Sequence, residues 1–200
     1  MIKVALTGGI ASGKTVFLDA VEGISGVKTL QADELAKEVY RPENPHYEEV
    51  VEILGQDVLT ENGTIDLARV SSKVFQDELL LQRIENISHP YVKKRVEELS
   101  SRFEREGVSL LIVEIPLLFQ SSEVDRDKYD YIVLLDLAQE TQVKRLMERD
   151  DLSRSRAEGR IETQSLPEGA AEEADFVIRT DTTVEETRKK ARRVIGDILN

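Results

Sequence analysis

A lysine and a threonine follow a run of small residues near the start of the chain, GGIASGKT at Gly8 to Thr15. The spacing G-x-x-x-x-G-K-[ST] is the one a backbone cradle for phosphate needs. Gly8, Gly9, Ile10, Ala11, Ser12 and Gly13 would wrap an anion with successive N–H groups, and the following helix would add the positive end of its dipole. Lys14 would reach the β- and γ-phosphates of a triphosphate, and Thr15 would offer its hydroxyl to Mg²⁺. ATP and Mg²⁺ are the ligands this implies. What receives the phosphate is not written in these residues, because switches, motors, transporters and small-molecule kinases share them.

Four further groups bear on the acceptor and the transfer. Asp33 stands between the apolar stretch VKTLQA and the helix start ELAKEVY. Ligands of open α/β sheets sit beyond the carboxyl ends of the strands, so a carboxylate there could align an attacking hydroxyl and take its proton; it could equally cap the helix. Glu114 closes a second apolar strand, VSLLIVEIP, where it would meet a Mg²⁺ water or the acceptor, or serve as a structural anchor. Arg145, Arg149, Arg154, Arg156 and Arg160 put five guanidinium groups within 16 residues of a chain whose net charge is −12. Such a cluster reads as a lid that closes over a triphosphate, or as a solvated helix laced with i,i+4 ion pairs. His89, just before Pro90, is expected immediately ahead of a helix N-terminus, as a phosphate contact or a cap.

The elements that must hold these groups follow from periodicity. IKVALT is an apolar run too short for a helix, so it reads as a strand covered on both faces. VFLDAVEG places Val16, Phe17, Ala20 and Val21 on one helical face, with Gly23 beyond the end. Residues 34–107 hold no convincing strand. They read as a helix ending at Gly55, a TENGT turn, a short helix capped by Asp66, and a long helix that starts near Pro90 and stops at Gly107. A strand near 131–135, the helix AQETQVKRLMERD, the strand ADFVIRT and a closing helix complete the chain. The closing helix carries an inner stripe of Val184, Thr187, Ala191, Val194, Ile195 and Ile198. The residues Arg179 to Asp181 follow a strand and lie where an adenine could rest.

Composition bounds the function. The chain has 200 residues, 40% hydrophobic and 33% charged, a soluble globular profile with room for one core and an insertion. It has no cysteine, which excludes thiolate catalysis and disulfides and points to a reducing cytoplasm. No apolar run approaches the roughly 20 residues of a membrane span, and the opening MIKVALTGG is not expected to be a signal peptide. The acidic balance argues against a nucleic-acid binder. The two markers of a GTPase, Asp-x-x-Gly and Asn-Lys-x-Asp, are missing. Nucleoside, nucleotide and other small-alcohol kinases remain open on these residues, as does a nucleotide-dependent regulatory protein without turnover. Oligomeric state is left open; a monomer is compatible with the sequence.

Taken together, LTGGIASGKT, ADELAKEV, LARV, ISHP, VEIPLLF, KRLMERD with Ala157, Arg160 and Gln164, and ADFVI resemble the dephospho-coenzyme A kinase family over essentially the whole chain. The resemblance implies an α/β P-loop kinase-like three-layer fold with a five-stranded parallel sheet in the order 2-3-1-4-5, a helical acceptor-binding insertion and a helical lid. The nucleotide-binding core would be residues 1–34, 108–144 and 166–200, the acceptor subdomain 35–107 and the lid 145–165. It implies transfer of the γ-phosphate of ATP to the 3′-hydroxyl of dephospho-CoA. Lys14, Asp33, Arg149 and Arg160 would be the catalytic group, with His89, Glu114 and Arg145 among the ligand contacts and Thr15 the metal ligand. Where the family pattern usually has Asp and Glu, this chain has Glu114 and Gln120.

Overall fold

The computed structural model describes residues 1–121 and 124–200. In chain order the elements are β1 (Ile2–Gly8), α1 (Lys14–Val21), β2 (Val27–Gln31), α2 (Ala32–Ala36), α3 (Tyr47–Leu54), α4 (Leu67–Gln76), α5 (Glu78–Arg105), β3 (Leu110–Glu114), β4 (Tyr131–Asp136), α6 (Gln139–Asp150), α7 (Arg154–Thr163), β5 (Phe176–Arg179) and α8 (Val184–Leu199), with short 3₁₀ turns between some of them. They form two compact units, Met1–Gln31 with Arg102–Asn200, and Ala32–Ser101. Residues 145–165 fall within the first unit, as the end of α6 and all of α7, and do not form a unit of their own.

The first unit is built on a five-stranded sheet in the order β2-β3-β1-β4-β5, every neighbouring pair parallel. β1 is the middle strand, which explains why IKVALT carries no polar alternation: Val4, Ala5, Leu6 and Thr7 are all fully buried. Val4, Leu6, Leu110, Ile112, Val133, Leu135 and Ile178 alternate along their strands and share one face, where they meet α1 and α8. Phe17 of α1 is fully buried there, a contribution of roughly 1.5–3 kcal/mol that fixes the helix following the glycine loop. On α8 the inner stripe runs through Thr187, Ala191, Ile195 and Ile198, with Val194 at its margin. Val184, expected on that stripe, is 53% exposed, because it is the first helical residue after the Thr183 cap and precedes the packed turns.

The second unit is helical. Val39, Val50, Leu54, Val58, Val70, Leu80 and Ile84 make its core. Asp66 caps α4 by accepting from the Ala68 and Arg69 N–H groups, and Thr60 and Thr64 close the turn that precedes it. One boundary differs from the sequence reading. α5 does not begin at Pro90; it runs unbroken for 28 residues from Glu78, about 42 Å, with Pro90 inside it. Its start is set by Asp77, whose carboxylate accepts from Leu80 N–H at 3.0 Å. An interior proline forfeits one ladder hydrogen bond. Packing on both sides outweighs that loss: Leu80 and Ile84 lie in the apolar core before it, and after it Tyr91 donates to Glu38 and Arg95 pairs with the same carboxylate at 3.3 Å. Among the described residues no helix is long and apolar enough to cross a membrane.

Candidate active site

β1 delivers the glycine loop to the carboxyl edge of the sheet. Its last residue, Gly8, has φ +149°, and a Cβ there would lie 2.5 Å from the Leu135 carbonyl oxygen and 2.7 Å from Ser12 Oγ. Backbone cannot yield, so only glycine fits. The chain then turns, Ser12 N–H donating to Gly9 O at 3.2 Å, with Ala11 in the left-handed region at φ +59° and Gly13 at φ +93°. For Ala11 that conformation costs on the order of 1–2 kcal/mol, so something must hold it. Gly13 caps α1 without a side chain, which leaves the N–H groups of the first turn to an incoming acceptor. The Ser12 hydroxyl is buried and finds no hydrogen-bond partner among the described residues. Lys14 Nζ donates to Gly8 O at 2.8 Å and Gly9 O at 3.2 Å, which folds the ammonium back over the loop. Thr15 is exposed in the first turn of the helix.

These features fit a nucleotide triphosphate. They supply a ring of N–H donors, an orphan hydroxyl and a tethered cation, the donor set that a polyanion requires. For Mg²⁺ the fit is through Thr15. Among the described residues no group of three or more His, Asp or Glu side chains gathers into a cage, so phosphate oxygens and water would complete the ion's shell. Glu114 is 8% exposed at the end of β3 and registers directly with Leu6 of β1, one strand from the loop's root.

The arginines divide into two kinds. Arg149 and Arg160, from α6 and α7, converge on one carboxylate: Arg149 donates to Asp150 at 2.8 and 3.1 Å, and Arg160 at 2.7 Å. Asp150 was legible in the sequence only as part of KRLMERD, with no role. Its hydrogen bond to Arg149 and the neighbouring guanidinium charges hold its carboxyl below the ordinary value, and the same bond pushes Arg149 up. A depressed carboxyl stabilises the fold above its unfolded value of about 3.9, and that contribution is lost as pH falls through the folded value. Replacing Asp150 by Asn should therefore lower the melting temperature at pH 7 by a few degrees at most. The gap between variant and wild type should narrow as pH falls from about 5 to 3, followed by differential scanning fluorimetry across pH. A gap independent of pH would remove the ionic clamp from the account. Arg154 is held by Glu140 and Glu158 on the solvent side.

Arg145, expected to contact the nucleotide, is held by backbone carbonyls. Its guanidinium donates to the carbonyls of Ala11 at 3.4 Å, of Thr182 at 3.2 Å, and of Thr180. Thr180 and Thr182 belong to the segment after β5, which is pinned at Thr180 N–H to Asp136 O at 2.9 Å and at Asp181, whose carboxylate accepts from Ala138 N–H at 2.9 Å. Gln142, on the same helix, is 8% exposed and donates to Ile10 O at 2.7 Å; nothing in the sequence singled it out.

The second unit carries Asp33 and His89. Asp33 is not a cap: α2 begins one residue earlier at Ala32, and Asp33 is an exposed acid in its first turn, two residues past the end of β2. His89 lies mid-helix on α5, exposed, and is not at a helix N-terminus. The unit also carries an open cleft of about 500 Å³ lined by His46, Glu49, Asn86, Tyr91 and Arg95 among others. His46 meets the edge of Tyr91 at 6.0 Å and pairs with Glu49 at 3.5 Å.

The model of one protein family, described as dephospho-CoA kinase, matches residues 2–186. The chain belongs to the dephospho-CoA kinase family. It is 34% identical over 197 residues to the dephospho-CoA kinase of Bacillus cereus, covering 97% of this chain and 96% of that one. It is 35% identical over 191 residues to the corresponding kinase of Hydrogenovibrio crunogenus, covering 95% and 94%. The crystal structure of TT1252 from Thermus thermophilus superposes with a TM-score of 0.80 at 27% identity, covering 100% of this chain and 98% of that one. A dephospho-CoA kinase from Campylobacter jejuni shares the fold at a TM-score of 0.72 and 24% identity, with 98% and 96% covered. The strand order, loop and parallel sheet described above are thus those of a P-loop kinase, and the chain is an ATP-dependent phosphotransferase.

Proposed function

We propose that the chain moves the γ-phosphate of ATP directly to the 3′-hydroxyl of the dephospho-CoA ribose, giving coenzyme A and ADP. The observation that carries this reading is the match to the dephospho-CoA kinase family over residues 2–186; the loop, with Ser12 buried without a partner among the described residues and Lys14 held on two loop carbonyls, supports its ATP half. In the proposed step the ribose O–H bond breaks, Asp33 takes the proton, the oxygen bonds to the γ-phosphorus, and the bond from that phosphorus to the β–γ bridging oxygen breaks as ADP leaves. Lys14 exchanges its carbonyl partners for phosphate oxygens. Arg149 and Arg160 face charge on the transferring group with planar donors, and Asp150 keeps the two guanidinium groups together. When bound, Mg²⁺ would be held by the Thr15 hydroxyl and would neutralise charge on the triphosphate. Acceptor selection falls to the helical unit, with His89 exposed on α5 as a contact for the CoA moiety. A cytoplasmic setting fits a chain with no cysteine.

The test is a coupled ADP-release assay on the wild-type chain with dephospho-CoA, adenosine, AMP or no acceptor. ADP formation with dephospho-CoA at least ~100-fold above the other arms is expected, because a site built for a specific acceptor rejects analogues that leave its polar groups unpaired. Turnover with adenosine or AMP and none with dephospho-CoA would replace this reading by a nucleoside or nucleotide kinase. ATP binding with no ADP in any arm would replace it by a regulatory protein.

A further inference from the structure

We propose that Gln142 and Arg145 are positioning residues that set the shape of the phosphate loop from α6. They stand three residues apart on that helix and so share a face, and they donate to two consecutive loop carbonyls, Ile10 O and Ala11 O. A peptide unit is planar and trans, so its C=O and N–H point in opposite directions. Holding Ile10 O therefore aims Ala11 N–H, and holding Ala11 O aims Ser12 N–H, the group that closes the turn onto Gly9 O. These bonds flank the one non-glycine residue of the loop in the left-handed region, Ala11, whose backbone would otherwise relax.

Two independent observations support the clamp. The side chains of Ile10 and Ala11 pack on the apolar seam of Val143, Leu146, Ala157 and Ile161 between α6 and α7, so the same two loop residues are gripped by both backbone and side chain. A Cβ on Gly9 would lie 2.7 Å from the Gln142 amide nitrogen. Gly9 has no positive φ to explain its glycine; its missing side chain leaves room for that amide. Arg145 extends the clamp by forking to Thr180 O and Thr182 O. The loop and the segment after β5 are thereby tied to α6 through one guanidinium.

The inference rests on the loop being the ATP site, and the test separates the two. ATP and inorganic tripolyphosphate are titrated calorimetrically into the wild type, Gln142→Glu and Arg145→Lys, and KM is measured for ATP and dephospho-CoA. Gln142→Glu keeps the shape and replaces a donor by a charge facing a carbonyl. It should weaken ATP and tripolyphosphate in the same proportion, at least ~10-fold, with KM for dephospho-CoA within about twofold and the fold intact by melting. Arg145→Lys keeps the charge and loses the fork, and should weaken ATP more than tripolyphosphate. Gln142→Leu serves the same purpose if the Glu variant does not fold. A folded Gln142 variant with unchanged affinity for both ligands overturns the proposal, as does an equal loss for ATP and dephospho-CoA. A wild type that binds neither ATP nor tripolyphosphate fails the ATP-site reading instead.

Discussion

Asp33→Asn should lower kcat for dephospho-CoA by about 10²–10⁴, the range expected for a positioned acid–base group. The substitution is close to isosteric. It keeps the side chain's size in the first turn of α2 and removes only the negative charge and the capacity to accept a proton fully. The side chain is exposed in the first turn of a five-residue helix, so the cost to folding is small beside the kinetic effect. KM for ATP should stay within about twofold, because the carboxylate is assigned to the acceptor. ADP release coupled to NADH oxidation gives kcat with dephospho-CoA varied at saturating ATP and KM for ATP with ATP varied at saturating dephospho-CoA, and a melting curve gives the folding cost. A loss below tenfold would leave Asp33 as an aligning group and return the proton to water.

Lys14→Met should cost a comparable factor through a different term. One unit of positive charge about 4 Å from a phosphate oxygen is worth roughly 4 kcal/mol at the effective dielectric of such sites. At about 1.4 kcal/mol per decade this corresponds to about 10³ in kcat/KM for ATP. The resting geometry adds a second consequence. Nζ bonds to Gly8 O and Gly9 O, so the methionine variant also leaves two loop carbonyls without their charged donor. Tripolyphosphate binding should therefore fall along with turnover, and KM for dephospho-CoA should not move. If kcat/KM falls less than tenfold, the ammonium does not meet the transferred group.

The donor half of the site was legible in the sequence because it is local. Gly8 to Thr15 lie within one turn and one helix start, and the reasons for glycine at 8 and 13 are backbone reasons that a motif records. Sheet positions were legible for the same cause: in IKVALT and SLLIVE apolar residues stand side by side rather than alternating with polar ones, and burial on both faces is what such runs mean. What was not legible depends on partners far along the chain. Gln142 meets Ile10 across 132 residues, and no local pattern separates a buried amide that holds a loop from an exposed one on a helix. Arg145 stands among other arginines in the sequence, which gives no sign of the three backbone carbonyls from two distant segments that hold it in the fold. Pro90 misled because proline punctuates helices on average; the grip of Tyr91 and Arg95 on Glu38 carries α5 past it. Asp77, which does start that helix, was the better signal.

The central place of β1 has a bearing on the order in which the molecule loosens. Paired with β3 from Ile2 to Leu6 and with β4 from Val4 to Gly8, and buried from Val4 onward, this strand opens only when the whole sheet does, so its amide protons exchange with solvent at the slowest, global rate. α7, by contrast, buries only Ala157 and Ile161 and belongs to the first material to fray. A molecule in which that helix has melted still presents the glycine loop rooted in an intact sheet. Capture of phosphate and ordering of the arginines are therefore separable events, and the fold grades its own stability from the anchor of the nucleotide outward to the groups that close over it.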